Sequence, residues 1–182
     1  MAGVRARPLA RRRPGRAALL AALASALTVV LGGCGGGGSA MGQDGQAGRA
    51  QVVRVVDGDT IVVRLAGAQE KVRLIGIDTP ESVDPRAEVE CFGREAGRRT
   101  AALLPPGTAV RLVRDVEARD RYSRLLAYVY RASDDLFVNL ALVAEGYAAV
   151  VTYPPNVAHV EALAAAARTA REQGRGLWGA CR

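Results

Sequence analysis

Aromatic side chains are scarce in this chain: two Phe, one Trp and five Tyr in 182 residues. Some of them must fill a core, so an exposed platform of rings can involve only one or two tyrosines. Histidine is scarcer still. His159 is the single one, and without it no Ser/His/Asp or Cys/His nucleophile can be assembled. Its place beside the last helical stretch predicts a surface residue. Trp178, after Gly176-Leu177, is expected to pack the C-terminal helix. Long apolar runs are missing too: Ala17 to Val30 is about 14 residues, too short to cross ~30 Å of hydrocarbon as a helix. A strong basic field is also lacking in most of the chain. There are 25 basic and 18 acidic residues, but six of the arginines lie in Met1 to Arg16, where there is no acid; removing them leaves 25 − 6 = 19 against 18. Bulk charge therefore gives no argument for a polyanionic partner, and any phosphate affinity must come from placed residues.

The basic start, the apolar run and the small residues Leu31-Gly32-Gly33-Cys34 have the layout of an export signal over residues 1–33. Leu-Gly-Gly-Cys resembles the bacterial lipobox. That resemblance implies lipidation of Cys34 and anchoring to the outer face of the bacterial cell membrane, or secretion where the lipobox is not used. Residues 34–48 are Gly-rich, with little to bury, and read as a flexible tether. The folded unit is expected over 49–182, long enough for one core, and is read as a monomer. With Cys34 assigned to lipid, Cys91 and Cys181 meet an oxidising exterior and are candidates for a disulfide; two buried thiols are the other reading.

Strands are predicted at Gln51–Val56, at Thr60–Leu65 across the hairpin signal Asp57-Gly58, and from about Glu70 to Asp78. A helix over Glu90–Leu104 ends at Pro105-Pro106-Gly107, and further strands follow at Thr108–Val113 and Leu125–Tyr130. A short helix over Val138–Glu145 and an Ala-rich one over Val157–Gln173, closed by Gly174, complete the chain. Three strands, a helix, two strands and then helices is the order of an α+β, mainly β fold: a five-stranded OB-fold barrel with about three helices.

Within this order one stretch concentrates chemistry. Val72-Arg73-Leu74-Ile75-Gly76-Ile77 reads as a strand, with Gly76 where it must bend or be approached closely, and Pro80 stops it at Asp78 or Thr79. The turn that follows carries Asp78 and Glu81, with a guanidinium on the strand leading in. A solvated turn rarely needs that set; a site holding a divalent cation beside a phosphate does. Asp59, just past the first hairpin, reaches the same barrel end if strand three pairs with strand two or its neighbours. Two carboxylates, a carbonyl and waters suit Ca²⁺. Asp57 is read either as a turn residue or as an acid supporting the ligands. No EF-hand loop is present.

Val56-Asp57-Gly58-Asp59-Thr60, Arg73 through Glu81, and Asp120-Arg121-Tyr122-Ser123-Arg124 together resemble the three signature segments of the staphylococcal nuclease (thermonuclease) family, in family order. The resemblance spans Arg49 to Trp178. It implies Asp59, Asp78 and the Thr79 carbonyl as Ca²⁺ ligands, and Arg73 and Arg124 as a phosphate clamp. Glu81 would accept a proton from the attacking water or orient it. Tyr122, Arg121 and Tyr153 are candidates for nucleotide contact; the family often has a second Tyr where this chain has Val151. The implied activity is Ca²⁺-dependent hydrolysis of DNA and RNA, single-stranded or in frayed duplex, with little sequence preference and 3′-phosphate products. The alternative is a catalytically weak, nuclease-like module that only binds nucleic acid.

Overall fold

In the computed structural model, residues 46–82 and 88–181 are described. The export signal, Cys34 and residues 34–45 of the expected tether lie outside them. Strand β1 (Gln46–Val55) pairs antiparallel with β2 (Thr60–Leu65), and β2 pairs with β3 (Ala68–Leu74). On its other side β1 pairs with β5 (Ala109–Val113), which pairs with β6 (Leu125–Arg131). A parallel pairing of β3 with β6 closes the five strands into a barrel. Closure removes the exposed edges that an open five-stranded sheet would leave. The barrel is therefore of the kind expected. A register shift between Val52 and Arg54 bends β1 as it passes from one partner to the other.

The alternation in the sequence accounts for the filling. Ile61 and Val63 of β2, Val72 and Leu74 of β3, and Val110 and Leu112 of β5 are all fully buried. Helix α1 (Gly93–Leu103) contributes Leu103 to this core, and α2 (Val138–Ala144) and α3 (Val160–Glu172) contribute Val138, Leu142, Leu163 and Ala167. Short pieces β7 (Leu136–Phe137) and α4 (Leu177–Ala180) complete the order. Cys91 and Cys181, 90 residues apart, are joined by a disulfide.

Three expectations need correction. The third strand does not run on to Asp78. It ends at Leu74, and the chain turns at Gly76, where a Cβ would meet Leu163 Cδ1 at 2.6 Å. Residues Ile77–Asp78 then form β4, which leaves the barrel and pairs with β8 (Ala149–Val150). The bend expected at Gly76 is thus a full corner that ends the strand. At the other end of the sheet β1 begins at Gln46, so the last residues assigned to the tether are paired with β5. Finally, His159 is not a surface residue. It is half-buried at the start of α3, edge-on to Tyr128 at 4.4 Å and beside Phe137 at 4.9 Å. The scarce rings gather there because an imidazole face packs as well as a phenyl face. Trp178 lies under the Arg171 guanidinium, 4.3 Å from its ring, which ties α4 to α3 as expected.

The corner is held by one buried amide. Asn139 on α2 is fully buried; its Oδ1 accepts from Val129 N (3.0 Å) and its Nδ2 donates to Ile75 O (2.9 Å). Asn139→Leu fills the space but leaves both backbone groups unsatisfied, at about 1–3 kcal/mol each. Urea denaturation should show a loss of about 2–6 kcal/mol; a loss well under 1 kcal/mol would contradict this role.

Candidate functional site

The corner at Gly76 and the first hairpin bring the sequence-distant acids together. Pairing of Thr60 with Arg73 sets Asp59 beside the end of β3. Asp59 is almost entirely buried, at 6 % exposure. Its Oδ1 accepts from Thr60 Oγ1 (3.0 Å), and its Oδ2 accepts from Thr79 N (3.0 Å) and Thr79 Oγ1 (3.2 Å). Gly58 makes room for this, since a Cβ there would fall 2.6 Å from Thr79 Oγ1. The hairpin is fixed from below by Thr100 of α1, whose hydroxyl donates to Gly58 O at 2.6 Å.

Arg73 spans the site. Nη1 donates to Leu74 O (2.8 Å) and Ile77 O (2.7 Å), the carbonyls on either side of the corner. Nη2 lies 2.7 Å from Asp78 Oδ1 and 3.1 Å from Asp59 Oδ2. Two carboxylates thus converge on one cationic nitrogen. Arg73 is engaged with the two acids here, an arrangement the family resemblance alone did not suggest. A third acid stands behind them: Asp57 Oδ1 accepts from Asp59 N at 3.1 Å. Burial first, and then the charge of Asp59, push Asp57 up to about 6. Asp78 is also raised, chiefly by burial, against the pull of Arg73 and with added repulsion from Asp59, Glu90 and Glu81. Negative charge is crowded here beyond what Arg73 neutralises.

Glu81 follows Pro80 and is half-buried. Its side chain caps its own turn, Oε1 accepting from Ser82 N at 2.7 Å. Its main chain is held on both sides by Glu90: Glu81 N donates to Glu90 Oε2 (2.9 Å) and Glu81 O accepts from Glu90 N (2.9 Å). Glu90 escaped sequence reasoning, because nothing in the spacing of two acids nine residues apart shows that one grips the other's backbone.

Arg124 precedes β6, two residues before Leu126, the parallel partner of Arg73. Its loop is organised by Asp120, which sequence reasoning quoted but gave no role. Asp120 Oδ1 accepts from Tyr122 N and Arg124 N (both 2.9 Å), and Oδ2 accepts from Arg124 Nε at 2.6 Å. The signal was present as an Asp and an Arg four residues apart. Tyr122 is 63 % exposed, with Arg121 and Arg124 guanidiniums 4.7 and 5.4 Å from its ring centre. Tyr153 is 73 % exposed and emerges four residues past Ala149, the β8 partner of Asp78. Asp59, Asp78, Thr79 and Arg73 are therefore in direct contact, Asp57 and Glu81 adjoin them, and Arg121, Tyr122, Arg124 and Tyr153 stand on neighbouring loops.

Could these residues hold a divalent cation? Among the described residues, no three His, Cys, Asp or Glu side chains gather as a ligand set. Two carboxylates already share one cation, however, and the remaining ligands of a hard ion such as Ca²⁺ are commonly carbonyls and water. The donor chemistry fits.

The Asp120 loop gives a signed pH dependence. Burial raises the Asp120 carboxyl, but the Arg124 hydrogen bonds outweigh it and hold it below its ordinary 3.8. A lowered folded value means the stabilisation is complete above the unfolded value and is lost as pH falls through the folded one. Asp120→Asn should cost about 1 kcal/mol at pH 7. In urea denaturation repeated at descending pH, that gap should close below the ordinary carboxylate value; a gap that persists in acid would refute the pairing.

With this geometry in view, comparison with known proteins is specific. The family model described as "Staphylococcal nuclease homologue" matches residues 71–180. A thermonuclease of Staphylococcus hyicus is 39 % identical over 128 residues, covering 70 % of this chain and 74 % of the relative. The thermonuclease of Staphylococcus intermedius is 41 % identical over 127 residues, with the same coverage. Endonuclease YncB of Bacillus subtilis is 34 % identical over 126 residues, 69 % of this chain and 59 % of the relative. The barrel, the matched span and these identities together make the chain a member of the staphylococcal nuclease family.

Proposed function

We propose that the protein is a Ca²⁺-dependent nuclease that hydrolyses phosphodiester bonds of DNA and RNA with little sequence preference and leaves 3′-phosphate ends. The observation that carries this reading is the convergence of Asp59 and Asp78 on a single positive nitrogen, with Glu81 and Arg124 on adjoining segments. Family membership, and relatives named thermonuclease and endonuclease, support it.

Asp59, Asp78 and the Thr79 carbonyl would hold the ion, with Asp57 supporting Asp59 through its backbone N–H. When bound, Ca²⁺ supplies positive charge against a phosphate oxygen and relieves the crowding of the acids. Arg124, held by Asp120 through Nε, has no hydrogen-bond partner on either terminal nitrogen among the described residues. That leaves a planar fork for phosphate, charged at any working pH. Arg73 joins it as the second donor toward oxygens on which charge builds in the transition state. Glu81 positions the attacking water or takes its proton; a carboxylate does either only within hydrogen-bond reach. The exposed rings of Tyr122 and Tyr153, with Arg121 alongside Tyr122, give bases a stacking surface that tolerates any sequence. Such a surface suits single strands and frayed duplex. The protein would act as a monomer, exported and held to the outer face of the cell membrane through lipid on Cys34.

Cleavage of single-stranded DNA tests this directly. Activity should require Ca²⁺ and vanish with chelator. Glu81→Gln and Arg124→Ala should each lower kcat about 10²–10³-fold. Full activity with chelator would refute the Ca²⁺ requirement, full activity in either variant would refute the role given to that residue, and no cleavage with Ca²⁺ would leave a binding module. A separate binding measurement should show Tyr122→Ala and Tyr153→Ala weakening affinity by about 1–3 kcal/mol per lost stack. Unchanged affinity in both would remove the rings from the interface.

A further inference from the structure

The residue that grips the Glu81 backbone is covalently tied to the far end of the chain. Glu90 holds Glu81 N through its carboxylate and Glu81 O through its own N–H, both at 2.9 Å. The next residue is Cys91, bridged to Cys181 with their Cα atoms 5.9 Å apart. After it comes Phe92, with φ +71°, a conformation that bulky L-residues keep only where their surroundings enforce it. Its ring lies 5.3 Å from Tyr147. Gly93 then passes so close to Glu81 that a Cβ would sit 2.6 Å from the Glu81 carbonyl oxygen. Residues 90–93 thus form a clamp on Glu81.

The other end of the bridge is anchored independently. Leu177 N donates to Gly146 O (2.9 Å) and Arg175 Nη1 to Ala144 O (2.9 Å), which seats the tail on the end of α2. Glu145, at that same end, takes a forked pair from Arg99 of α1 at 2.6 and 2.7 Å. The disulfide therefore fastens the clamp to the α2 end, which is itself fastened to α1. Cys91 is exposed, so an external thiol can reach the bridge.

Resting on the nuclease reading above, we propose that the Cys91–Cys181 disulfide is a positioning element for Glu81: it holds Glu90 in its grip on the Glu81 backbone, so that opening the bridge slows turnover while leaving Ca²⁺ and nucleic-acid binding intact. Opening by an external dithiol is a two-electron exchange. The S–S bond breaks, each cysteine sulfur gains one electron and one proton, and the dithiol closes into its own disulfide.

The test compares the oxidised protein, the protein reduced with dithiothreitol, the double variant Cys91→Ser/Cys181→Ser, and Glu90→Ala with Glu90→Gln in the bridged chain. Circular dichroism at the assay temperature selects the forms that are folded. In these, opening the bridge should lower kcat on single-stranded DNA about tenfold or more, because small misplacements of a catalytic group are costly. KM and the Ca²⁺ dissociation constant should stay within about twofold, as expected for an effect confined to the transition state. Glu90→Ala should reproduce the fall and add nothing to it when combined with the open bridge, whereas Glu90→Gln, which keeps an acceptor for Glu81 N, should recover most of the activity. Unchanged kcat on opening the bridge, or effects of Glu90→Ala and bridge loss that multiply, would overturn the proposal. So would a Glu90→Ala protein as active as the parent. Hydrogen exchange at the Glu81 amide gives a readout independent of catalysis. Faster exchange on reduction supports the clamp even if no Ca²⁺-dependent cleavage is found, an outcome that would count against the nuclease reading alone. Unchanged exchange would sink the clamp.

Discussion

Everything at this site depends on one guanidinium held at four points. Arg73 is fixed by the carbonyls of Leu74 and Ile77 and reaches Asp59 and Asp78 with the same nitrogen. The first pair of bonds sets the angle of the chain at Gly76; the second draws two acids from different segments to one point. The cost of burying Asp59 is offset here, since a buried carboxylate is tolerated when paired and hydrogen-bonded. Positive charge at this point is a structural requirement of the fold.

The remaining architecture serves to keep that point still. Closure of the barrel through β3 and β6 puts Arg73 and the Arg124 loop on adjacent strands. Helix α1 reaches both acid-bearing segments, through Thr100 to the hairpin and through the residues before it to Glu81. Asn139 braces the corner from the opposite side. The Thr100 and Asn139 contacts are buried, and such contacts lose little to salt. With 19 basic and 18 acidic residues beyond Arg16, recognition of a polyanion rests on such placed groups and not on a diffuse field.

Much of this was legible in the sequence, for reasons that can be stated. Alternation and the Asp-Gly turn marked the barrel strands, and rigid punctuation at Pro80 placed Asp78 and Glu81 on one turn. The pairing of strands two and three placed Arg73 beside Asp59 as expected, but Asp78 joined them only through the corner at Gly76. Other features were not legible because they depend on tertiary contact. A bend at Gly76 was legible, but how sharply it turned was not, since the corner is set by the Arg73 bonds to Leu74 and Ile77 and braced by Asn139. His159 turned inward because the ring cluster of Tyr128 and Phe137 formed beside it. Glu90 and Asp120 act on the backbone and side chain of other residues, so neither shows a pattern of its own.

Asp59 and Asp78 converge on one cation position. Calorimetric titration with Ca²⁺ in the absence of nucleic acid measures this most directly. The expected result is a single site in the parent protein, abolished in Asp59→Asn, severely weakened in Asp78→Asn, and retained in Arg124→Ala. Binding of equal strength in Asp59→Asn, or no binding in the parent, would contradict it.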